Sequence, residues 1–293
     1  MQEDYNKLIE KLFEDSDWSG IISLCTKILE KDEKDIFAYF RRAVAHYNLQ
    51  ELELCLQDAE RMKELAPDEY RGYDWAGGIY FELNQCEKAI ENFNKVLELN
   101  PEYAAAYNNR GASKYALGDK AGAIADYDKA LELNPEYAVA YYNRGLCKYD
   151  LGDNIGAIAD YDKALELNPE DAKAYNNRAE TKYAIGDKVG AIADYDKVLE
   201  LNFKYVHVYN NRGLCKSDLG DDVGAIGDFT KAIELNRNEE CYLFGYINRS
   251  MSYERLGRYK EALADVNKYL ESDPENNDAL EFKQKIEEKL KNE

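Results

Sequence analysis

A 34-residue period constrains this chain more than any other feature. The string GAIADYDKALELNPEYA at residues 122–138 returns as GAIADYDKALELNPEDA at 156–172 and as GAIADYDKVLELNFKYV at 190–206. Self-similarity at a period of about 20–50 residues implies a solenoid, in which each unit buries its apolar face only against its neighbours. With Pro101 as slot 1, units run 101–134, 135–168, 169–202 and 203–236, and the register extends back through 67–100 and 33–66. Residues 1–32 fit as a degenerate unit without its first two slots, and 237–273 fits once three extra residues are allowed near its start. A tail, 274–293, follows these eight units, and the whole of 1–293 reads as a single solenoid domain.

Each unit spells two helices. Slots 4–17, Ala104 to Leu117 in the unit that starts at Pro101, contain no proline and carry a small residue at slot 11. Leu117-Gly118-Asp119 then supplies a glycine able to end a helix in the left-handed conformation, followed by an N-cap aspartate. The second helix sets Ala123, Ile124, Tyr127, Ala130 and Leu131 on one stripe, and Asn134-Pro135 closes the unit. In the tail, Ala279, Phe282, Ile286 and Leu290 form one apolar face of a capping helix. No uninterrupted apolar run reaches the roughly 18 residues of a membrane span.

These residues resemble the tetratricopeptide repeat family. The resemblance lies in Tyr107, Tyr141, Tyr175 and Tyr209 at slot 7, the small residue at slot 11 and Ala123, Ala157, Ala191 and Ala225 at slot 23. Tyr127, Tyr161, Tyr195 and Phe229 at slot 27, and Pro at the next slot 1, complete it. It is strongest over 67–236 and weakens in 1–66, where Ile21, Ile28, Cys55 and Met62 replace the expected alanines. It implies an all-α, right-handed α-α superhelix of about eight helix-turn-helix units with a C-terminal capping helix. It also implies a concave inner surface on which partner peptides lie.

The differences between copies carry the functional signal. Units 101–134 and 135–168 differ at slots 5, 8, 12 and 16 of the first helix, a single stripe, and at three further slots. Beside that stripe two positions hold their identity. Slot 9 is Asn109, Asn143, Asn177 and Asn211, with Asn248 at the corresponding place in the shifted last unit, and slot 15 is Tyr115, Tyr149 and Tyr183. A side-chain amide both donates and accepts, so a row of them can hold a peptide backbone of any sequence. Tyrosine adds apolar contact with a polar tip. The row is similar to the asparagine ladder of other superhelical repeat proteins; the alternative is that each Asn bonds a neighbouring helix. Selectivity is assigned to Ala105, Asn108, Val139, Tyr142, Leu146, Lys173, Glu180, His207 and Leu214. In the N-terminal repeats Arg41 and Trp75 replace the slot 9 Asn, among Phe37, Phe40, Tyr47, Arg71 and Phe81, residue types found at binding hot spots. The clamp by which family members hold the terminal carboxylate of chaperone tails is absent, since slot 8 never carries lysine and slot 12 never carries Asn.

Other chemistries find no support. With 58 acidic against 38 basic residues and a net charge of −20, the chain repels nucleic acid and anionic membrane surfaces. The row Arg110, Arg144, Arg178, Arg212 and Arg249 at slot 10 is matched by Asp126, Asp160, Asp194 and Asp228, so it reads as inter-helix pairing rather than phosphate binding. The Asp-x-Asp strings sit mid-helix, without the glycine turn of a calcium loop. Six isolated cysteines and two distant histidines form no metal or disulfide framework, and the free thiols suit a reducing, cytoplasmic setting. No nucleophile–base constellation and no cofactor motif is found. The reading is a non-enzymatic scaffold for an extended peptide or protein segment, monomeric rather than openly stacked because its tail is polar. Self-assembly through repeat stacking is the alternative.

Overall fold

The computed structural model describes residues 2–201, 206–235 and 241–292, all of whose regular elements are α-helices. The start of the repeat at 203, the insertion near 237 and the side chain of Cys241 lie outside the described residues. The chain divides into two compact units, 1–147 and 148–293. The first contains α1 (Gln2–Glu14) and α2 (Trp18–Leu29), α3 (Ile36–Asn48) and α4 (Leu52–Leu65), α5 (Tyr70–Glu82) and α6 (Cys86–Leu99), then α7 (Ala104–Ala116) and α8 (Lys120–Leu133). The division falls inside α9 (Ala138–Asp150). The second unit continues with α10 (Asn154–Leu167), α11 (Ala172–Ala184) and α12 (Lys188–Leu201), and α13 (Val206–Asp218) and α14 (Asp222–Leu235). It ends with α15 (Cys241–Arg255), α16 (Tyr259–Leu270) and α17 (Asn277–Lys291). Within each unit, successive helices pair as hairpins that pack on their neighbours, the all-α helical-repeat class that the period predicts.

The turn inside each hairpin follows from two residue types. Gly118, Gly152, Gly186 and Gly220 sit at φ between +82° and +86°, ending the first helix where an L side chain would be strained. In the three N-terminal repeats the same slot is held at positive φ by Ser16, Gln50 and Asn84. The following aspartate caps the second helix: Asp119 accepts from the Gly122 backbone N–H at 2.9 Å, and Asp153, Asp187 and Asp221 repeat the bond. At that slot Glu51 and Gln85 make no side-chain cap bond, so α4 and α6 start without it.

The packed interior is the copied part of the sequence. Ala123, Tyr127 and Ala130 are buried on α8, as are their counterparts Ala191, Tyr195 and Val198 on α12. The slot 11 glycine makes room for the slot 27 ring: a Cβ on Gly111 would lie 2.8 Å from the Tyr127 ring, while in α11 Ala179 occupies that seat against Tyr195. Ile21, Cys55 and Met62, where the repeat pattern expects alanine, are buried too. In α17, Ala279 and Ile286 are buried with Phe282 and Leu290 beside them, against Ala262, Val266 and Leu270 of α16.

Charged residues of the repeat are committed to this framework. Arg178 reaches across its hairpin to Asp194 with Nε–Oδ2 at 2.8 Å, Lys182 meets the same carboxylate at 2.8 Å, and Arg178 also pairs with Asp162 of the preceding hairpin. Its guanidinium lies 5.4 Å from the centre of the Tyr175 ring. Arg110 makes the same contacts to Asp126 and Tyr107, and Arg212 to Asp228 and Tyr209. The row of arginines is therefore inter-helix pairing, and both aspartates of the Asp-x-Asp strings are used by it.

Candidate functional site

Two clefts, one inside each unit, are built from the same slots, most of them on first helices. In the first unit the cleft takes slot 15 of one repeat (Tyr47) and slots 8, 9, 12, 15 and 16 of the next (Asp74, Trp75, Gly78, Phe81, Glu82). Its floor is Phe93 at slot 27, and slots 9 and 12 of α7 (Asn109, Ala112) close it. In the second unit the corresponding residues are Tyr149, then Glu180, Tyr183 and Ala184, then Tyr195, then Asn211 and Leu214. The first cleft has a volume of about 360 Å³ and the second about 230 Å³.

Of the residues expected to bind, Trp75, Asn109, Tyr149, Tyr183 and Asn211 are brought to these clefts, together with Glu180 and Leu214 of the variable stripe. Trp75 is held edge-on by Phe40 and Tyr47, at 5.8 and 6.0 Å between ring centres. Phe37 stays exposed, under the Arg71 guanidinium. Tyr183 donates from its hydroxyl to Asp218 at 3.1 Å. Asn211 hydrogen-bonds the hydroxyl of Tyr195, whose burial raises its pKa.

The other expected residues are placed elsewhere. Tyr115 packs against Ala123, Tyr127 and Cys147. Lys173 and His207 are exposed near the starts of their helices, and Arg41 and Tyr142 are half-buried outside both clefts. Asn143 donates to Asn108 Oδ1 at 3.1 Å, and Asn108 donates to Asn109 Oδ1 at 3.1 Å. Asn248 donates to Asn210 at 3.2 Å, and Asn177 accepts from Asn176 at 3.4 Å. The asparagines thus form short chains between neighbouring first helices. Asn108, assigned to the exposed stripe, is instead buried as the bridging member, because an amide with both donor and acceptor can satisfy two others at once.

Asp74, Gly78 and Glu82 were not singled out by sequence, and Tyr195 was read only as a repeat-packing aromatic. Asp74 Oδ2 accepts from the Tyr103 hydroxyl at 3.2 Å, while its Oδ1 is buried without a hydrogen-bond partner among the described residues. Burial holds the Asp74 carboxyl above the usual carboxylate range, the Tyr103 bond opposing it, and burial beside Asp74 pushes Tyr103 up to about 12. The signal for Asp74 and Gly78 is a break in the period: slots 8–12 read NNRGA in the repeat from 101 and DWAGG in the repeat from 67.

Family models of the tetratricopeptide repeat match residues 104–137, 138–171, 160–193 and 244–276, and a further TPR repeat model matches 77–118. The chain is a tetratricopeptide-repeat protein. No curated protein sequence matches this repeat protein. Among solved structures it is similar to YrrB, described as a TPR protein with an unusual peptide-binding site. The identity is 24%, over 67% of this chain and 99% of that one, with a TM-score of 0.62. It is also similar to pilF of Pseudomonas aeruginosa, at 18% identity over 73% of this chain and 96% of that one, with a TM-score of 0.64. A chain of the APC/C hetero-tetramer Cut9–Hcn1 matches at 18% identity over 92% of this chain and 52% of that one, with a TM-score of 0.60. At such identities these likenesses establish the fold. Tetratricopeptide-repeat proteins generally mediate protein–protein interactions. Among the described residues, no helix of this repeat protein is long and apolar enough to cross a membrane.

Proposed function

We propose that the protein is a non-enzymatic interaction module that binds an extended peptide or protein segment across the unpacked slots of its first helices. The observation that carries this reading is the recurrence of the cleft. Two units build an aromatic, partly polar pocket from the same slots, and in the second unit the neighbouring slot 10 arginine is committed to the Arg–Asp lattice. Apolar clefts with a few convergent polar groups are the usual form of a recognition site. Asn109 and Asn211 are the members of the asparagine row that line the clefts, and in this reading their remaining donors and acceptors hold a peptide backbone; Asn109 also accepts from Asn108, and Asn211 bonds Tyr195. We place the protein in a reducing, cytoplasmic compartment: Cys25, Cys55, Cys86, Cys147 and Cys215 are buried free thiols. Burial pushes the thiols of Cys25 and Cys215 up to about 11 and that of Cys55 to about 12, away from reactivity.

Panning a random-peptide library against the full chain tests the reading, with Asn109→Ala/Asn211→Ala as the comparison. The expected result is a set of enriched peptides whose affinity drops about tenfold or more in the folded double variant, the loss of two hydrogen bonds to a desolvated backbone. Equal binding to both proteins would remove the clefts as the site. Absence of any enriched peptide would favour a folded partner on another face, or self-assembly.

A further inference from the structure

The two clefts share their slots but differ in content, and the difference is chemical. In the second unit slot 12 is Glu180, which accepts from Asn176 at 3.0 Å and lines the cleft. In the first unit slot 12 is Gly78, and a Cβ built there meets nothing within 4 Å. The repeat that starts at 67 has thus exchanged a side chain for space, although glycine inside a helix is unfavourable by about 1 kcal/mol relative to alanine. Two carboxylate residues, Asp74 and Glu82, line the cleft, and no basic residue is among those lining it; Asp74 Oδ1 is buried without a hydrogen-bond partner among the described residues. The walls are Tyr47, Trp75 and Phe81.

We propose that the first-unit cleft is a pocket for one basic side chain, lysine or arginine, of the bound peptide. This rests on the groove reading and names the feature that the groove selects. Three properties converge on that ligand. An unpaired buried carboxylate oxygen is costly, and a cationic donor is its strongest complement. Aromatic walls accept both the methylene stem of such a side chain and its charge. An acidic side chain is repelled by Asp74 and Glu82, and an apolar one leaves Asp74 unsatisfied. The second-unit cleft is smaller and has the Glu180 side chain in its lining where the first has Gly78.

The test continues the panning experiment with Gly78→Leu and Asp74→Asn. Leucine is the native slot 12 residue at Leu146 and Leu214, so Gly78→Leu fills the space with a side chain the repeat already accepts there. The expected result is that enriched peptides carry lysine or arginine at one fixed position. Replacing that residue by norleucine should weaken binding by about tenfold or more. The preference should vanish in folded Gly78→Leu. In Asp74→Asn the lysine and norleucine peptides should bind alike. Enriched peptides without a fixed basic residue, or a norleucine peptide that binds the unaltered chain equally well, would overturn the pocket and leave the groove standing. A preference that survives Gly78→Leu would overturn it too, since that variant keeps the net charge of −20 and only long-range attraction would remain. No enriched peptide at all would overturn the groove reading, and the pocket with it.

Discussion

Asp74 illustrates what one residue can decide. Its slot carries Asn in four other repeats, and in this one a carboxylate is buried beside Tyr103 with one oxygen unsatisfied. Burial raises its pKa, so the folded chain holds the proton more tightly than the unfolded one does. Stability from that preference is fully present below the ordinary carboxylate value of 3.8 and is lost as pH rises through the raised value. At neutral pH the ionised group therefore costs stability. Asp74→Asn, which keeps an oxygen to accept from Tyr103, should unfold at higher urea than the unaltered chain at pH 7. The gap should narrow as pH is lowered toward that value. A variant less stable at pH 7 would show that Asp74 is held by a favourable partner in the free protein. The slot 10 and slot 26 residues show the opposite economy. Where the repeat from 67 has Ala76 in place of arginine it also has Asn92 in place of aspartate, so no buried charge is left alone.

At the scale of the helix, the turn between the two members of a hairpin fixes where each starts and stops. Asp119 caps α8 through Gly122, and a Cβ on Gly122 would clash with the Asp119 carboxylate, lying 2.9 Å from the capping Oδ1 and closer still to Oδ2. One hydrogen bond therefore dictates two residues of the repeat. Asp119→Ala is expected to lower stability by about 1 kcal/mol, the usual worth of an N-cap, read as a shift of the urea midpoint. The same substitution at Gln85, which makes no side-chain cap bond, should change little. Equal losses at both positions would mean that the effect comes from helix propensity or the unfolded chain. The asparagines belong to this scale as well: Asn143 to Asn108 to Asn109 ties two first helices together, so a residue type expected to face a ligand also sets helix spacing.

For the molecule as a whole, each hairpin gains its apolar burial from its neighbours, so stability is distributed along the chain and the exposed face of any last hairpin needs cover. In the second unit α17 supplies it, packing Ile286 against α16 and pairing Lys285 and Lys289 with Glu254. Removing 274–293 should lower the unfolding midpoint of the protein and cause irreversible association, because Ala262, Val266 and Leu270 lose their cover. Analytical ultracentrifugation with refolding checks this. Reversible oligomers of defined size would instead support assembly through repeat stacking.

The period, the helix hairpins, their glycine and aspartate punctuation and the Arg–Asp pairing were all legible in the sequence. They are local or recur at fixed offsets, and repetition multiplies a weak signal into a plain one. The functional slots were legible only in part. That Tyr149, Tyr183 and Asn211 share a cleft while Tyr115 joins the core and Asn143 bonds Asn108 depends on which side chains meet between packed helices, which period alone cannot rank. Tertiary structure also decided which departure from the period mattered. DWAGG at slots 8–12 looks like degeneracy in the sequence. Packing makes Asp74 and Gly78 part of one cleft, where Gly78 leaves space that neighbouring helices do not fill and Asp74 keeps a buried oxygen without a partner.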